Sequence, residues 1–190
     1  DTATTEIYTP PSQAYDAFSR AIADTLERTG KRRQREAELA QWGAAIRTRE
    51  AHVPMLDGVA AIDVAQQSDH PLKAITSGLE RQAPAPFWAT SKWRMTERIA
   101  WWNEYADTSA VVFGHYWRWP LDEQAATARA RGPNLFAGAA PFDWLGPRHN
   151  TLCIDWCVGL RWSERQHGAP PFLGKLGALR LDERAVVLDS

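Results

Sequence analysis

An apolar run that stops at a glycine–histidine pair places the strongest constraint on how this chain folds. Residues 111–118 read Val-Val-Phe-Gly-His-Tyr-Trp-Arg. A short apolar run before a glycine predicts a buried strand that ends in a turn. Because glycine has no Cβ, the backbone can bend at Gly114 and present His115 at the strand end. A neutral imidazole there is a candidate metal ligand or acid–base group. Alternatively, His115 caps the strand or forms a hydrogen bond in the core.

Length and composition describe an ordinary globular domain. The chain has 190 residues, of which 44% are hydrophobic, enough for one domain with a core. Its formal net charge of −1 gives no electrostatic basis for binding nucleic acid or an anionic membrane. No signal peptide is visible in these 190 residues, and no apolar run approaches the roughly 18–20 residues of a membrane span. Two cysteines argue against a disulfide scaffold and predict a reducing, cytoplasmic setting.

Tryptophan is unusually frequent, with ten residues in the chain. All but Trp42 follow residue 87, at positions 88, 93, 101, 102, 117, 119, 144, 156 and 162. Large flat side chains can form a surface on which bases or sugars stack, or they can pack in a core and at its rim. Composition alone leaves both roles open.

Two amphipathic helices are predicted near the amino terminus. Apolar side chains recur every four residues between a serine suited to cap a helix and a glycine suited to end one: Ser12, Ala14, Phe18, Ile22, Leu26 and Gly30. A second helix is predicted over residues 32–50, with Leu39, Trp42 and Ile46 on one face. Its basic start, residues 31–35, is followed by glutamates, which favours a solvated charged face over a nucleic-acid contact.

The rest of the chain is predicted to consist of loops, short strands and one short helix. Residues 51–90 are punctuated by prolines and predict a loop-rich connector with a short helix near residues 58–67. Residues 94–106 have a helical spacing of apolar side chains or form an irregular arm. A helix is predicted over residues 121–131. Strands are predicted over residues 111–115, 134–137, 151–157, 175–182 and 185–190, the last two as a hairpin.

The glycine–histidine pair and the segments around it resemble a known family. Similar segments are residues 76–80 (Thr-Ser-Gly-Leu-Glu), 86–87, 92–102, 152–155 (Leu-Cys-Ile-Asp) and 177–181 (Gly-Ala-Leu-Arg-Leu). Residues 75–190 together resemble the carboxy-terminal half of calcineurin-like metallophosphoesterases. That family includes the Ser/Thr protein phosphatases and bacterial diadenosine-tetraphosphatase-like enzymes. In it, a strand ends in Gly-His, and the histidine binds one of two metal ions.

The resemblance implies an α/β fold, a two-sheet β-sandwich flanked by helices. Residues 1–74 would be a helical segment and loop-rich connector, and residues 75–190 the carboxy-terminal sheet portion of the domain. The predicted strands would then form one sheet of the sandwich, with helices from residues 12–50 covering an outer face. A sheet that lacks its partner half would expose an apolar face, so self-association into a homo-oligomer is also expected.

The same resemblance implies two divalent metal ions (Mn, Fe, Zn or Ni) in the intact parent, with His115 as the recognisable ligand here. The family's Gly-Asp-x-His, Gly-Asp-x-x-Asp-Arg and Gly-Asn-His-Glu motifs do not occur in the sequence. Asp57 and Asp63 have no neighbouring His or Asn in the required arrangement. We therefore expect the carboxy-terminal half of such an enzyme, or a member that has lost its metal-binding half. This chain alone would then hold no metal.

Arg118 is a candidate phosphate contact because it follows His115 by three residues. The planar guanidinium suits bidentate binding of phosphate and would help to neutralise a phosphoryl transition state. The alternative is a surface ion pair with Asp122 or Glu123.

Arg94, Arg98 and Asp155 complete the candidate site. The two arginines, four residues apart, form a second phosphate clamp, or a salt-bridged face with the neighbouring Glu97 and Glu104. Asp155 either supports a metal-bound histidine as an outer carboxylate, or pairs with Arg161, or bonds a turn.

Cys153 and Cys157, flanked by His149 and His167, resemble a zinc-ligand pattern only in spacing. Four residues apart on a strand, the thiols would stand about 13 Å apart, too far for one tetrahedral ion. Buried reduced thiols are the default interpretation. Asp143, before Trp144 and a Leu-Gly-Pro sequence, is typical of turn chemistry.

The resemblance implies part of a binuclear-metal-dependent phosphoesterase that hydrolyses a phosphate ester or anhydride. The substrate would be a nucleotide, another phosphorylated small molecule, or a phosphoprotein, and the isolated chain would be inactive. The alternative is a non-catalytic interaction module, or a nucleotide-binding module with a Trp-rich surface. In that case the partner would be the missing amino-terminal half, supplied as a separate chain.

Overall fold

The computed structural model describes residues 11–89, 91–121, 125–126, 134–168 and 172–189. The fold is mixed α/β, with five helices and three two-stranded sheets in the described part. The chain divides into two compact units, Asp1–Ile99 and Ala100–Ser190. Residues 75–99, which the resemblance groups with the later strands, thus belong to the first unit. The helix predicted over residues 121–131 lies mostly outside the described residues.

The first unit contains four helices and one hairpin. They are α1 (Pro11–Arg28), α2 (Lys31–Trp42), α3 (Asp57–Ser68), α4 (Pro71–Ser77), β1 (Glu80–Ala89) and β2 (Lys92–Arg98). Helix α1 is confirmed, but it begins at Pro11, so Ser12 lies in its first turn rather than at its cap. Helix α2 is shorter than predicted, ending at Trp42 with Gly43 as its carboxy-terminal cap. The chain then forms a 3₁₀ turn, Ala45–Arg47, that buries Ile46.

Helices α2 and α3 pack closely at Gly58. A Cβ on this glycine would stand 2.6 Å from the backbone nitrogen of Arg35, so no larger residue fits unless the two helices shift apart. The Glu38 carboxylate accepts hydrogen bonds from the backbone N–H groups of Gly58 and Val59, each at 2.9 Å. The carboxylate thereby bonds two backbone N–H groups that have no acceptor within the helix. It also places a negative charge at the amino terminus of α3.

Strands β1 and β2 form an antiparallel hairpin where a loop and a helical or irregular segment were predicted. Glu80 pairs with Arg98 and Phe87 with Arg94, with an irregularity between Gln82 and Phe87. Prolines lie within that irregularity and cannot donate to a ladder. Met95, the first residue of the supposed helical spacing, instead packs from β2 into the core of Ile46, Val53, Leu56 and Ala60. The loop predicted where β1 lies and the helix predicted where β2 lies were wrong, because packing against α3 decided the structure. The short helix predicted near residues 58–67 is confirmed as α3.

The second unit is built around a parallel strand pair. β3 (Val111–Phe113) pairs with β4 (Thr151–Cys153), Val112 lying opposite Leu152. An aromatic core packs beside it. Trp102 lies in a 3₁₀ turn (Trp101–Glu104), and its ring stacks on Phe113 and Phe136 at centroid distances of 5.1 and 5.0 Å. The strand predicted over residues 134–137 is wrong: this segment is a turn that delivers Phe136 to the core.

A second two-stranded sheet forms from the last residues of the unit. Helix α5 (Leu160–His167), which sequence reasoning missed, precedes the hairpin of β5 (Gly177–Arg180) and β6 (Ala185–Leu188). The predicted hairpin is confirmed, with Ala178 opposite Val187. The prediction that these strands join the earlier ones in a single sheet is wrong for the described residues, which form two separate pairs in this unit. Among the described helices, none has the length and apolarity needed to span a bilayer.

Candidate functional site

The carboxyl ends of β3 and β4 meet at one edge because the two strands are parallel. Gly114 and His115 follow β3 at this edge, and Ile154 and Asp155 follow β4. The backbone bond from the Ile154 N–H to the Phe113 carbonyl, at 2.9 Å, continues the ladder to this point. His115 is exposed, as predicted. This edge therefore brings together two of the predicted site residues, His115 and Asp155.

The backbone at this edge is held in unfavourable conformations. His115, Trp117 and Cys157 have φ values of 70°, 53° and 59°, in the left-handed region that residues other than glycine avoid. Each such residue costs about 1–2 kcal/mol. Strained residues persist only where the surroundings fix them, and they cluster at functional sites.

Asp155 holds these loops in place by accepting three hydrogen bonds from backbone N–H groups. Its carboxylate accepts hydrogen bonds from the Trp117 N–H at 3.4 Å and from the Cys157 N–H at 3.1 Å. Its carbonyl accepts a hydrogen bond from the Arg118 N–H at 2.8 Å. Of the roles left open by the sequence, the structure supports turn bonding. The pairing of Asp155 with Arg161 is wrong, since Arg161 makes its ion pair with Asp189.

Arg118 is buried, only 1% exposed, contrary to both sequence interpretations, which put its guanidinium at the surface. The guanidinium donates to the carbonyl oxygens of Asp143, at 2.9 Å, and Ala140. It also lies over the rings of Phe136 and Trp156, 5.2 and 5.5 Å from their centroids. Burial lowers the pKa of Arg118. In this conformation Arg118 ties the turn at residues 140–143 to the loop after β3, and its Nη1 and Nη2 groups face carbonyls rather than a phosphate.

Arg94 and Arg98 belong to β2 in the first unit, whereas His115 and Arg118 belong to the second. Four residues apart on a strand, they stand about 13 Å apart, not on adjacent helical turns. Of the two neighbouring glutamates, Glu97 forms an ion pair with Arg81, at 2.9 Å.

Cys153 and Cys157 are both buried thiols that form no disulfide, as the default interpretation expected. Burial raises the pKa of the Cys153 thiol to about 12, so the thiol stays protonated at neutral pH. In the described parts of the chain, no three His, Cys, Asp or Glu side chains converge into a metal-binding group. The donor set therefore does not fit a zinc site here. It does not fit a binuclear centre either, which needs several donors around ions about 4 Å apart.

A cavity that the sequence analysis did not identify lies elsewhere in the second unit. Its volume is about 710 Å³, and its lining includes Asn103, Phe136, Asp143, Trp144 and His149. The turn predicted at Asp143 is present: its carboxylate accepts a hydrogen bond from the Ala140 N–H at 2.8 Å. The excess of tryptophan was the one signal in the sequence that pointed toward such a surface.

Comparison with known proteins assigns no family. No family model matches the chain, and neither a curated protein nor a solved structure matches it significantly.

Proposed function

We propose that this chain contributes the histidine-bearing edge of a metal-dependent phosphoesterase with a calcineurin-like fold. His115 is the donor that it supplies. The enzyme would hydrolyse a phosphate ester or anhydride, with a nucleotide, another phosphorylated small molecule, or a phosphoprotein as its substrate.

One observation carries the proposal: an exposed histidine in a left-handed conformation follows a parallel strand, at an edge braced by the neighbouring loop. His115 has a φ of 70°. The Asp155 carboxylate accepts hydrogen bonds from the Trp117 N–H in the loop after β3 and from the Cys157 N–H in its own loop after β4. A metal donor must be held in a fixed direction, which rigid strands provide better than free loops. A turn with a purely structural role does not need a histidine with a strained, left-handed backbone and an exposed side chain.

A centre that uses His115 requires further donors. Since no cluster of three potential ligands occurs among the described residues, those donors would come from outside them. A bound pair of ions would supply a metal-activated hydroxide and charge neutralisation. In this chain, His115 would hold one ion, and Asp155 would act through the backbone that fixes the direction of residues 115–117. Arg118 is assigned a structural rather than a phosphate-binding role.

The compartment that suits this proposal is the cytoplasm. Cys153 and Cys157 are both buried and form no disulfide. Free thiols are typical of a reducing environment.

The experiment uses the protein encoded by the complete reading frame, assayed with Mn²⁺ on p-nitrophenyl phosphate and on a dinucleoside polyphosphate. We expect His115→Ala to lower kcat by about 100-fold or more, because losing a metal ligand costs at least as much as losing its outer support. His167→Ala is the matched control, since His167 is exposed in the same unit and lies on α5. Equal activity of the two variants would contradict the proposal. Absence of any hydrolysis in the parental protein would favour a non-catalytic binding module.

A further inference from the structure

The cavity in the second unit has the size of a small-molecule site. Its volume of about 710 Å³ lies within the 300–1,000 Å³ typical of ligand pockets. It is walled by the turn at residues 135–139, by residues 143–147 and by the 3₁₀ turn that carries Asn103. His115 is not part of the lining, so this site is separate from the strand edge described above.

Aromatic side chains form the apolar part of the cavity. Trp102 and Phe136 stack on each other, with ring planes 8° apart. Trp144 completes the wall, and the Arg184 guanidinium lies 3.9 Å from the centre of its ring. Arg184 therefore covers one face of this indole and holds it in place. The Trp144 Nε1 is buried and has no hydrogen-bond acceptor among the described residues.

The polar part of the cavity is rich in hydrogen-bond acceptors. One carboxylate oxygen of Asp143 accepts a hydrogen bond from the Ala140 N–H, and no described residue donates to the other oxygen, which can accept from a ligand. His149 Nδ1 lies 3.3 Å from the Trp144 carbonyl, so the ring donates there and its Nε2 is an acceptor in the neutral state. Asn103 is exposed at the same cavity and adds an amide that both donates and accepts.

The rim is held by two strained residues that bond to each other. His149 and Arg184 have φ values of 48° and 49°, and the Arg184 guanidinium donates to the His149 carbonyl. Gly146 has a φ of 82°, and a Cβ there would lie 2.6 Å from the Trp102 carbonyl, so only glycine permits this close approach. Residues held in this way are typical of preorganised ligand sites.

We propose that this cavity binds a neutral polyhydroxylated ring, such as a monosaccharide or an inositol. The C–H face of such a ring carries a slight positive charge that matches the negative face of an indole. Its hydroxyl groups donate to the acceptors on Asp143 and His149 and accept from Asn103. The inference does not depend on the phosphoesterase proposal.

The test is saturation-transfer NMR on the 190-residue chain with D-glucose, D-galactose, myo-inositol and adenine, each at about 5 mM to detect weak binding. We expect saturation of C–H protons of at least one polyol, and none of adenine. Trp144→Ala should weaken polyol binding about tenfold or more, as loss of a stacking platform does. Trp162→Ala is the matched control, because Trp162 is 75% exposed on α5 and outside the cavity.

Asp143→Asn tests the polar half independently of Trp144. The amide oxygen can still accept from the Ala140 N–H, so the turn is preserved while the carboxylate is lost. We expect weaker polyol binding with unchanged circular dichroism. The proposal is overturned if no polyol receives saturation from the parental chain, or if adenine alone binds. It is also overturned if a bound polyol responds equally to Trp144→Ala and Trp162→Ala, or if neither cavity variant changes its affinity while both remain folded.

Discussion

Replacing the buried Arg118 separates a structural role from a phosphate-binding role. In Arg118→Met, a side chain of similar length fills the space but donates no hydrogen bonds. The Asp143 carbonyl loses the guanidinium at 2.9 Å, and the Ala140 carbonyl keeps only the Asp143 N–H at 3.1 Å. The change therefore removes two charge-assisted bonds that join the loop after β3 to the turn at residues 140–143.

The expected loss of stability follows from these contacts. Hydrogen bonds to a charged group contribute about 1.5–3 kcal/mol each, and removing a buried charge returns part of that through relief of desolvation. We expect Arg118→Met to lower the free energy of unfolding by about 2–4 kcal/mol. Arg118→Lys keeps the charge but loses the fork, so we expect about half that loss.

Urea denaturation followed by tryptophan fluorescence measures this change, because seven of the ten tryptophans lie in the second unit. Arg180→Met is the control: its ion pair with Glu183 is more than half exposed on both sides, and such pairs contribute about 0–1 kcal/mol. A free energy of unfolding for Arg118→Met within about 0.5 kcal/mol of the parental value would refute the structural assignment.

Three further results are expected. The 190-residue chain should not hydrolyse p-nitrophenyl phosphate with Mn²⁺, since His115 alone cannot hold two ions; turnover abolished by His115→Ala would mean that other donors were missed. Cys153, with its pKa of about 12, should resist iodoacetamide at pH 8, where roughly one thiol in 10,000 is ionised, and label only after denaturation; rapid native labelling would contradict its burial. Gly138→Ala should cost about 1–2 kcal/mol, because its φ of 80° is left-handed but a Cβ there meets no atom within 4 Å. Gly146→Ala should cost about 2–3 kcal/mol more, because its Cβ clashes with the Trp102 carbonyl; equal thermal denaturation midpoints would contradict this.

The sequence predicted the helices and strands that are determined by residues close together in the chain. The apolar run before Gly114 gave β3 and its exposed histidine, and the spacing up to Gly30 gave α1. The closing hairpin was also predicted, because Ala178 and Val187 lie on short apolar segments joined by a charged turn.

Elements fixed by distant contacts were not predictable. The spacing of Met95, Ile99 and Trp102 fits a helix, yet Met95 is held in β2 by a core formed from residues 46–60. The burial of Arg118 depends on carbonyls 22 and 25 residues away in the chain. Turns around residues 135–149 build the cavity, and no local motif marks their convergence.

Metal content tests the central claim most directly. We expect the protein encoded by the complete reading frame, purified with Mn²⁺ and measured by elemental mass spectrometry, to hold about two ions per chain, as binuclear phosphoesterases do. His115→Ala should lose about one of them, and the exposed control His167→Ala should lose none. An unchanged metal content in His115→Ala would contradict the assignment of this histidine as a ligand.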